Sequence, residues 1–156
     1  MLHLETIEPK TLELLRRLQS LPIFEQSRLV GGTALALQLG HRKSIDLDMF
    51  GIIDSSPEEI HEACKDAGEL EISKTSRNIN RGTKKDFIDL HFLLKEMSLN
   101  KILDLYDQKY PDGSRFIALK SLTYFEDAES DPMPYMFSDI TWEEVKVSII
   151  DKVRKL

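Results

Sequence analysis

An α+β fold is predicted for this chain: a mixed sheet with flanking helices in the first half, followed by a mainly helical C-terminal part. Three observations carry the prediction. Arg28-Leu29-Val30 and Ile45–Phe50 have strand character, the second by alternating apolar and acidic residues. Beyond residue 85, apolar residues recur almost throughout at helical spacing. The two kinds of stretch are segregated along the chain, the pattern of α+β rather than α/β proteins. With 156 residues, one compact unit is expected, divided into an α/β core over 1–73 and a helical part over 74–156.

Each element has a local reason. Over Pro9–Leu21 the leucines at 12, 15, 18 and 21 share a helical face, Pro9 suits a first turn, and Pro22 stops the run. Ile23–Arg28 reads as a turn or short helical piece. Thr33–Leu39 holds strong helix formers and Gly40 is a natural stop. Ser55-Ser56-Pro57-Glu58-Glu59 is a helix start, with a serine cap, a first-turn proline and acids at the positive end of the dipole. That helix is expected to run to about Ala67, with Glu69–Ser73 as a second strand. Asp86–Met97 places Phe87, Leu90 and Leu94 on one face. Helices are also expected over Leu99–Tyr110, before the Pro111-Asp112-Gly113 turn, and over Arg115–Phe125. Ala128–Pro134 reads as an acidic loop. Thr141 caps a last helix to Leu156, with Glu144 three residues on.

Composition narrows the function classes. A net charge of -6 argues against a protein that coats nucleic acid nonspecifically, while leaving room for a local basic patch. The single cysteine, Cys64, permits no internal disulfide and fits a reducing, cytoplasmic setting; packing in a helix is its expected role. The N-terminal residues lack the pattern of a signal peptide, and no apolar run reaches membrane-spanning length, so no membrane association is expected. Neither His-x₃-His nor Cys-x₂-Cys spacing occurs, which speaks against structural zinc. His61 and His91 are expected at surface or boundary positions.

Chemistry concentrates in two stretches. Gly31-Gly32 follows a strand and precedes a helix; without Cβ atoms the backbone admits a ligand closely, and the helix start presents N–H groups to an anion. A tight turn is the plainer reading. Asp46 and Asp48 lie two apart on an expected strand and so project to one side, where they suit Mg²⁺ shared with a triphosphate; Ile45, Leu47 and Met49 would face the core. A solvated strand face is the alternative. The second stretch, Arg81-Gly82-Thr83-Lys84-Lys85, reads either as a phosphate-holding run or as a solvated loop. Asp86 and Asp89 follow it on one side of a helix start, where acids also favour the dipole.

Gly31–Leu37 followed by His41-Arg42-Lys43-Ser44-Ile45-Asp46-Leu47-Asp48-Met49-Phe50 resembles the AbiEii/AbiGii toxin family of nucleotidyltransferases, and Arg81–Leu90 resembles that family's second signature. The resemblance implies a polymerase-β-like nucleotidyltransferase core that transfers a nucleotidyl group from a nucleoside triphosphate with Mg²⁺. The acceptor it suggests is an RNA 3′ end such as that of tRNA, and the biological setting a bacterial toxin–antitoxin system with a cognate antitoxin. Carried over by residue, Gly31, Gly32 and Thr33 bind nucleotide with Arg42 and Lys43 at the edge of the site. Asp46 and Asp48 bind metal and act in catalysis with Asp86 and Lys74. Relatives carry a longer segment between the signatures, with a strand bearing a further acid and a helix bearing a lysine. Here Asp48 and Asp86 are 38 positions apart. Lys74 holds the register of that lysine or belongs equally to a strand end upstream of the missing piece, and Glu71 is the candidate for the further acid, an exposed strand acid being the other reading. The short middle also suggests two alternatives: a noncatalytic remnant that binds nucleotide or protein, and a sheet edge covered by a second copy in a homodimer.

Overall fold

The computed structural model describes residues 1–65 and 82–156. The chain divides into two compact units, Met1–Ile79 and Asn80–Leu156. The expected strand over 69–73, Glu71, Lys74 and Arg81 lie outside the described residues.

In the first unit a 3-10 turn at Leu4–Thr6 leads into helix α1, Pro9–Ser20, and a second 3-10 turn at Pro22–Phe24 follows it. The proline at the start of α1 and the one after its end bound it as their chemistry requires. Strand β1, Ser27–Val30, runs straight into helix α2, Gly31–Leu39. Gly40 ends α2 at φ +68°, a left-handed cap in which its N–H bonds the Ala36 carbonyl at 2.8 Å. Strand β2, Asp48–Gly51, pairs antiparallel with β1, Ser27 opposite Gly51 and Val30 opposite Asp48. Helix α3, Pro57–Cys64, opens with a complete capping box between Ser56 and Glu59.

Strand β2 is shorter than the alternation over Ile45–Phe50 predicts. Ser44 forms a parallel bridge with Ile7, its N–H bonding the Thr6 carbonyl at 2.9 Å, and residues 45–47 form no ladder before β2 begins. Leu47 and Met49 do pack against the core of Ile7, Leu15 and Leu37. Ile45 does not: it is 62% exposed, because its segment is released from the sheet.

The second unit is helical: α4 Lys84–Glu96, α5 Leu99–Lys109, α6 Arg115–Ser121, a 3-10 turn at Glu126–Ala128, and α7 Trp142–Arg154. Helix α6 stops short of the expected Phe125, and the chain turns before the 3-10 segment. Nine buried residues, among them Phe87, Ile88, Leu103, Val145 and Ile149, form one core in which α4 packs on α7. Phe87, Phe125 and Trp142 meet in tilted and edge-on contacts with ring centroids 4.9 to 5.9 Å apart.

Candidate active site

The turn from β1 into α2 places the first group of candidate residues. Gly31 adopts φ +71°, a region that side-chain-bearing residues rarely enter. Because Val30 pairs with Asp48, the Asp48 side chain falls directly over Gly31. A Cβ at Gly31 would lie 2.5 Å from Asp48 Oδ2 and 3.3 Å from its Cγ. Glycine is therefore required twice, once by the backbone angle and once by the carboxylate. The acid and the helix start, two separate motifs in sequence, are one structural feature.

The first-turn N–H groups of Gly31, Gly32 and Thr33 have no carbonyl one turn behind them to bond, so they are the anion-seeking groups of α2. The Thr33 side chain turns the other way. It is 1% exposed, and its hydroxyl donates to the carbonyl of Asp46 and lies 2.8 Å from Ser44 Oγ. Thr33 is thus a candidate for nucleotide binding through its N–H, while its hydroxyl is spent inside the protein.

Asp46 and Asp48 are both exposed, with Leu47 and Met49 turned inward between and beyond them. The alternation persists even though only Asp48 is a strand residue. Lys43 is exposed, whereas Arg42 is 3% exposed with Nη1 donating to the Lys43 carbonyl at 3.0 Å. The basic loop therefore offers one cation to solvent and keeps the other within the fold. Two hard carboxylates, open to solvent beside anion-seeking N–H groups, suit Mg²⁺, which characteristically takes one or two protein carboxylates and completes its shell with phosphate and water. No cluster of three or more His, Cys, Asp or Glu side chains fit to hold a metal occurs among the described residues.

In the second unit Asp86 is exposed and closes the capping box of α4. Its Oδ2 accepts from Thr83 N–H at 2.8 Å and from Thr83 Oγ1 at 2.7 Å. Lys84 is 7% exposed: its N–H bonds Asp131 Oδ2 at 3.1 Å, its Nζ bonds the Glu129 carbonyl at 3.1 Å, and Nζ lies 5.2 Å from the Trp142 ring centre. This lysine belongs to the interior, and neither the phosphate-holding nor the solvated reading of the basic run describes it. Cys64 is buried, and burial pushes its thiol up, which fits packing and not nucleophilic work. His91 is 6% exposed, not at the surface, and burial holds its pKa below the usual imidazole value.

Sequence reasoning did not single out Ser44. The available signal is a hydroxyl residue just before the acidic alternation, and nothing local links it to Thr33 eleven positions earlier.

A strand running into a glycine-opened helix, with an antiparallel partner carrying outward acids, is consistent with a small nucleotidyltransferase-like α+β fold. Residues 13–76 match the family model described as nucleotidyl transferase AbiEii toxin of type IV toxin–antitoxin systems, so the resemblance read from the first signature is borne out over that stretch. The match takes in Gly31, Asp46, Asp48 and Lys74 and ends before Asp86. The family so described is one of nucleotidyl transferases, and the match suggests that activity at the family level. The chain is also 29% identical to an uncharacterized protein of Aquifex aeolicus (strain VF5), over 92% of this chain and 94% of that one. That alignment spans 197 residues and this chain has 156, so at least 41 aligned positions have no counterpart here. No solved structure matches the chain.

Proposed function

We propose that this protein is a Mg²⁺-dependent nucleotidyltransferase that moves a nucleotidyl group from a nucleoside triphosphate to an acceptor hydroxyl at an RNA 3′ end such as that of tRNA. The observation that carries the reading is the Asp48 carboxylate lying against Gly31 at the start of α2, inside the stretch that matches the family. Phosphate groups and a cation need opposite partners, and this junction supplies both: N–H groups from the first turn of α2, carboxylates from Asp46 and Asp48.

In this reading Gly31, Gly32 and Thr33 take phosphate oxygens through their N–H groups, and the missing Cβ at 31 makes room for the Asp48 carboxylate beside them. Asp46 and Asp48 would hold Mg²⁺, which when bound would supply positive charge to offset that of the triphosphate. Lys43 adds an exposed cation beside them. The acceptor oxygen bonds to the α-phosphorus as the bond to pyrophosphate breaks. Asp86 and Lys74 are carried over as the family's later acid and lysine by the resemblance alone. A cognate antitoxin protein and a cytoplasmic setting follow from the same family reading. No described helix is long and apolar enough to cross a membrane.

The test is transfer of labelled nucleotide to total tRNA, with each of the four triphosphates and Mg²⁺. The parent should label RNA, and Asp46→Asn and Asp48→Asn should each lower the rate by about a hundredfold or more, as loss of several kcal/mol of charge stabilisation requires. A second reading, a noncatalytic member that binds nucleotide or a partner protein, is favoured by one observation: the relative has at least 41 aligned positions without counterpart here. Mg²⁺-dependent triphosphate binding without transfer from any of the four nucleotides would establish it. Sedimentation would test the homodimer: a monomer at all concentrations removes it.

A further inference from the structure

Between the Ser44 bridge and the start of β2, residues 45–47 lack ladder hydrogen bonds, yet Asp46 lies within this stretch. A carboxylate that must meet a metal needs a backbone held in place. A side chain contributes to that hold here: Thr33 donates its hydroxyl proton to the Asp46 carbonyl. A threonine has one such proton and a carbonyl accepts only, so the 2.8 Å contact between Thr33 Oγ1 and Ser44 Oγ is made by the Ser44 proton. Ser44 is itself fixed through its N–H to the Thr6 carbonyl and is 8% exposed. The chain of donors runs Ser44 hydroxyl to Thr33 hydroxyl to Asp46 carbonyl, rooted in the first turn of α2.

We infer that Thr33 and Ser44 are positioning residues that set the Asp46 carboxylate beside the helix start, so that the element offering N–H groups to phosphate also fixes the metal-binding acid. The inference rests on the proposed role of Asp46. It gives the Thr33 hydroxyl a task distinct from touching nucleotide. It also explains how a residue outside the ladder keeps the outward setting that Asp48 receives from strand pairing.

The experiment titrates MgCl₂ against ATP binding to the full chain by calorimetry, in the parent, Thr33→Val, Thr33→Ser, Ser44→Ala and Asp46→Asn, with ATP binding in EDTA as the reference. Valine keeps the shape of threonine and removes the hydroxyl; serine keeps the hydroxyl. Thr33→Val should need roughly tenfold more Mg²⁺ for half-maximal ATP binding, the size usual for loss of a group that orients a metal ligand. Its loss should be larger with Mg²⁺ than in EDTA, and Thr33→Ser should titrate closer to the parent than Thr33→Val does. Ser44→Ala, which leaves the Thr33 donor in place, should shift the titration in the same direction but by less than Thr33→Val, and it carries the test should Thr33→Val not fold. Three results overturn the inference alone: a Mg²⁺-dependent parent with unshifted Thr33→Val and Ser44→Ala, equal losses in Thr33→Val with and without Mg²⁺, or a Thr33→Ser variant as weak as Thr33→Val. A parent whose ATP binding ignores both Mg²⁺ and Asp46→Asn overturns the metal reading itself, and this inference with it.

Discussion

The two units differ in what they bury. The first surrounds a small apolar core of Ile7, Leu15 and Leu37 with buried polar side chains, Thr6, Thr33, His41, Arg42 and Ser44, and leaves Ile45, Phe50 and Ile52 more than 60% exposed. The second gathers nine buried apolar residues into one core, with aromatic rings from α4 and α7 and from Phe125 packed together. Buried hydroxyls and cations give directional constraints but little net stabilisation, because each hydrogen bond replaces one with water. Apolar burial gives stabilisation without direction. Among the described residues, directional polar burial thus weighs more in the first unit and apolar burial more in the second, which also buries Lys84, Asp89 and His91.

The largest expected effect tests that contrast directly. Ile88 is fully buried in the second core, and Ile88→Ala should cost about 2–5 kcal/mol by loss of transfer energy and cavity formation. Trp142, the chain's only tryptophan, sits on α7 and reports on that unit by fluorescence during urea unfolding. Leu37→Ala in the first unit should fall near the lower end, about 2 kcal/mol, because a site flanked by half-buried residues collapses more readily. It should leave the Trp142 transition in place while shifting the one seen by circular dichroism. Equal losses from the two substitutions would remove the distinction between the units.

Next in size is Gly31→Ala. A side chain held at φ +71° costs about 1–3 kcal/mol, and the new Cβ must also push the Asp48 carboxylate aside. The expected outcome is moderate destabilisation together with loss of Mg²⁺-dependent ATP binding. A matched change at Gly40, also at positive φ but at the other end of α2, where the new Cβ would meet the His3 ring and not an acid, should destabilise similarly and leave binding intact. The pair separates the backbone role of a glycine from its place beside an acid.

Smaller again are the helix caps, where the two units should behave alike because capping is local. Ser56→Ala in the first and Thr141→Ala in the second each remove the acceptor for an N3 N–H, at 3.2 Å in both, and should each cost about 1 kcal/mol in urea unfolding. A much larger cost at either would mean that the cap also serves packing.

This locality explains what the sequence made legible. Ser56 with Glu59, and Thr141 with Glu144, are four-residue signals, and both appear as complete capping boxes. Prolines 9 and 22 and Gly40 mark ends that the structure places within a residue or two. The acidic alternation located the outward setting of Asp46 and Asp48 but overextended the strand, because Thr33 holds Asp46 by a side-chain bond that has no period along the chain. Lys84 defeated the reading for a similar reason. In sequence it belongs to a basic run, and only the contact with Trp142, 58 positions later, and with the 129–131 loop takes it inside. Arg42, placed at the edge of the site by the resemblance, is only 3% exposed.

The smallest expected effect is a pH dependence at the one point where the second unit buries a titratable ring without a hydrogen bond. Both ring nitrogens of His91 are buried with no hydrogen-bond partner, and the ring lies edge-on to Phe92 at 5.1 Å. Burial lowers its pKa and Lys95 on the same helix lowers it further, while Glu144 from α7 pulls the other way. A group whose folded pKa lies below its unfolded value binds more protons when unfolded, so folding is favoured above the unfolded imidazole value, about 6.5, and loses that advantage as pH falls through it. The urea midpoint read from Trp142 should therefore drop between pH 7.5 and pH 5.5 in the parent. In His91→Phe, which keeps an aromatic ring and removes the titration, the drop should shrink, with the other histidines and the carboxylates accounting for what remains. An identical pH profile in parent and variant would show that the charged ring finds a hydrogen-bond acceptor inside the second unit, as the buried Lys84 ammonium does.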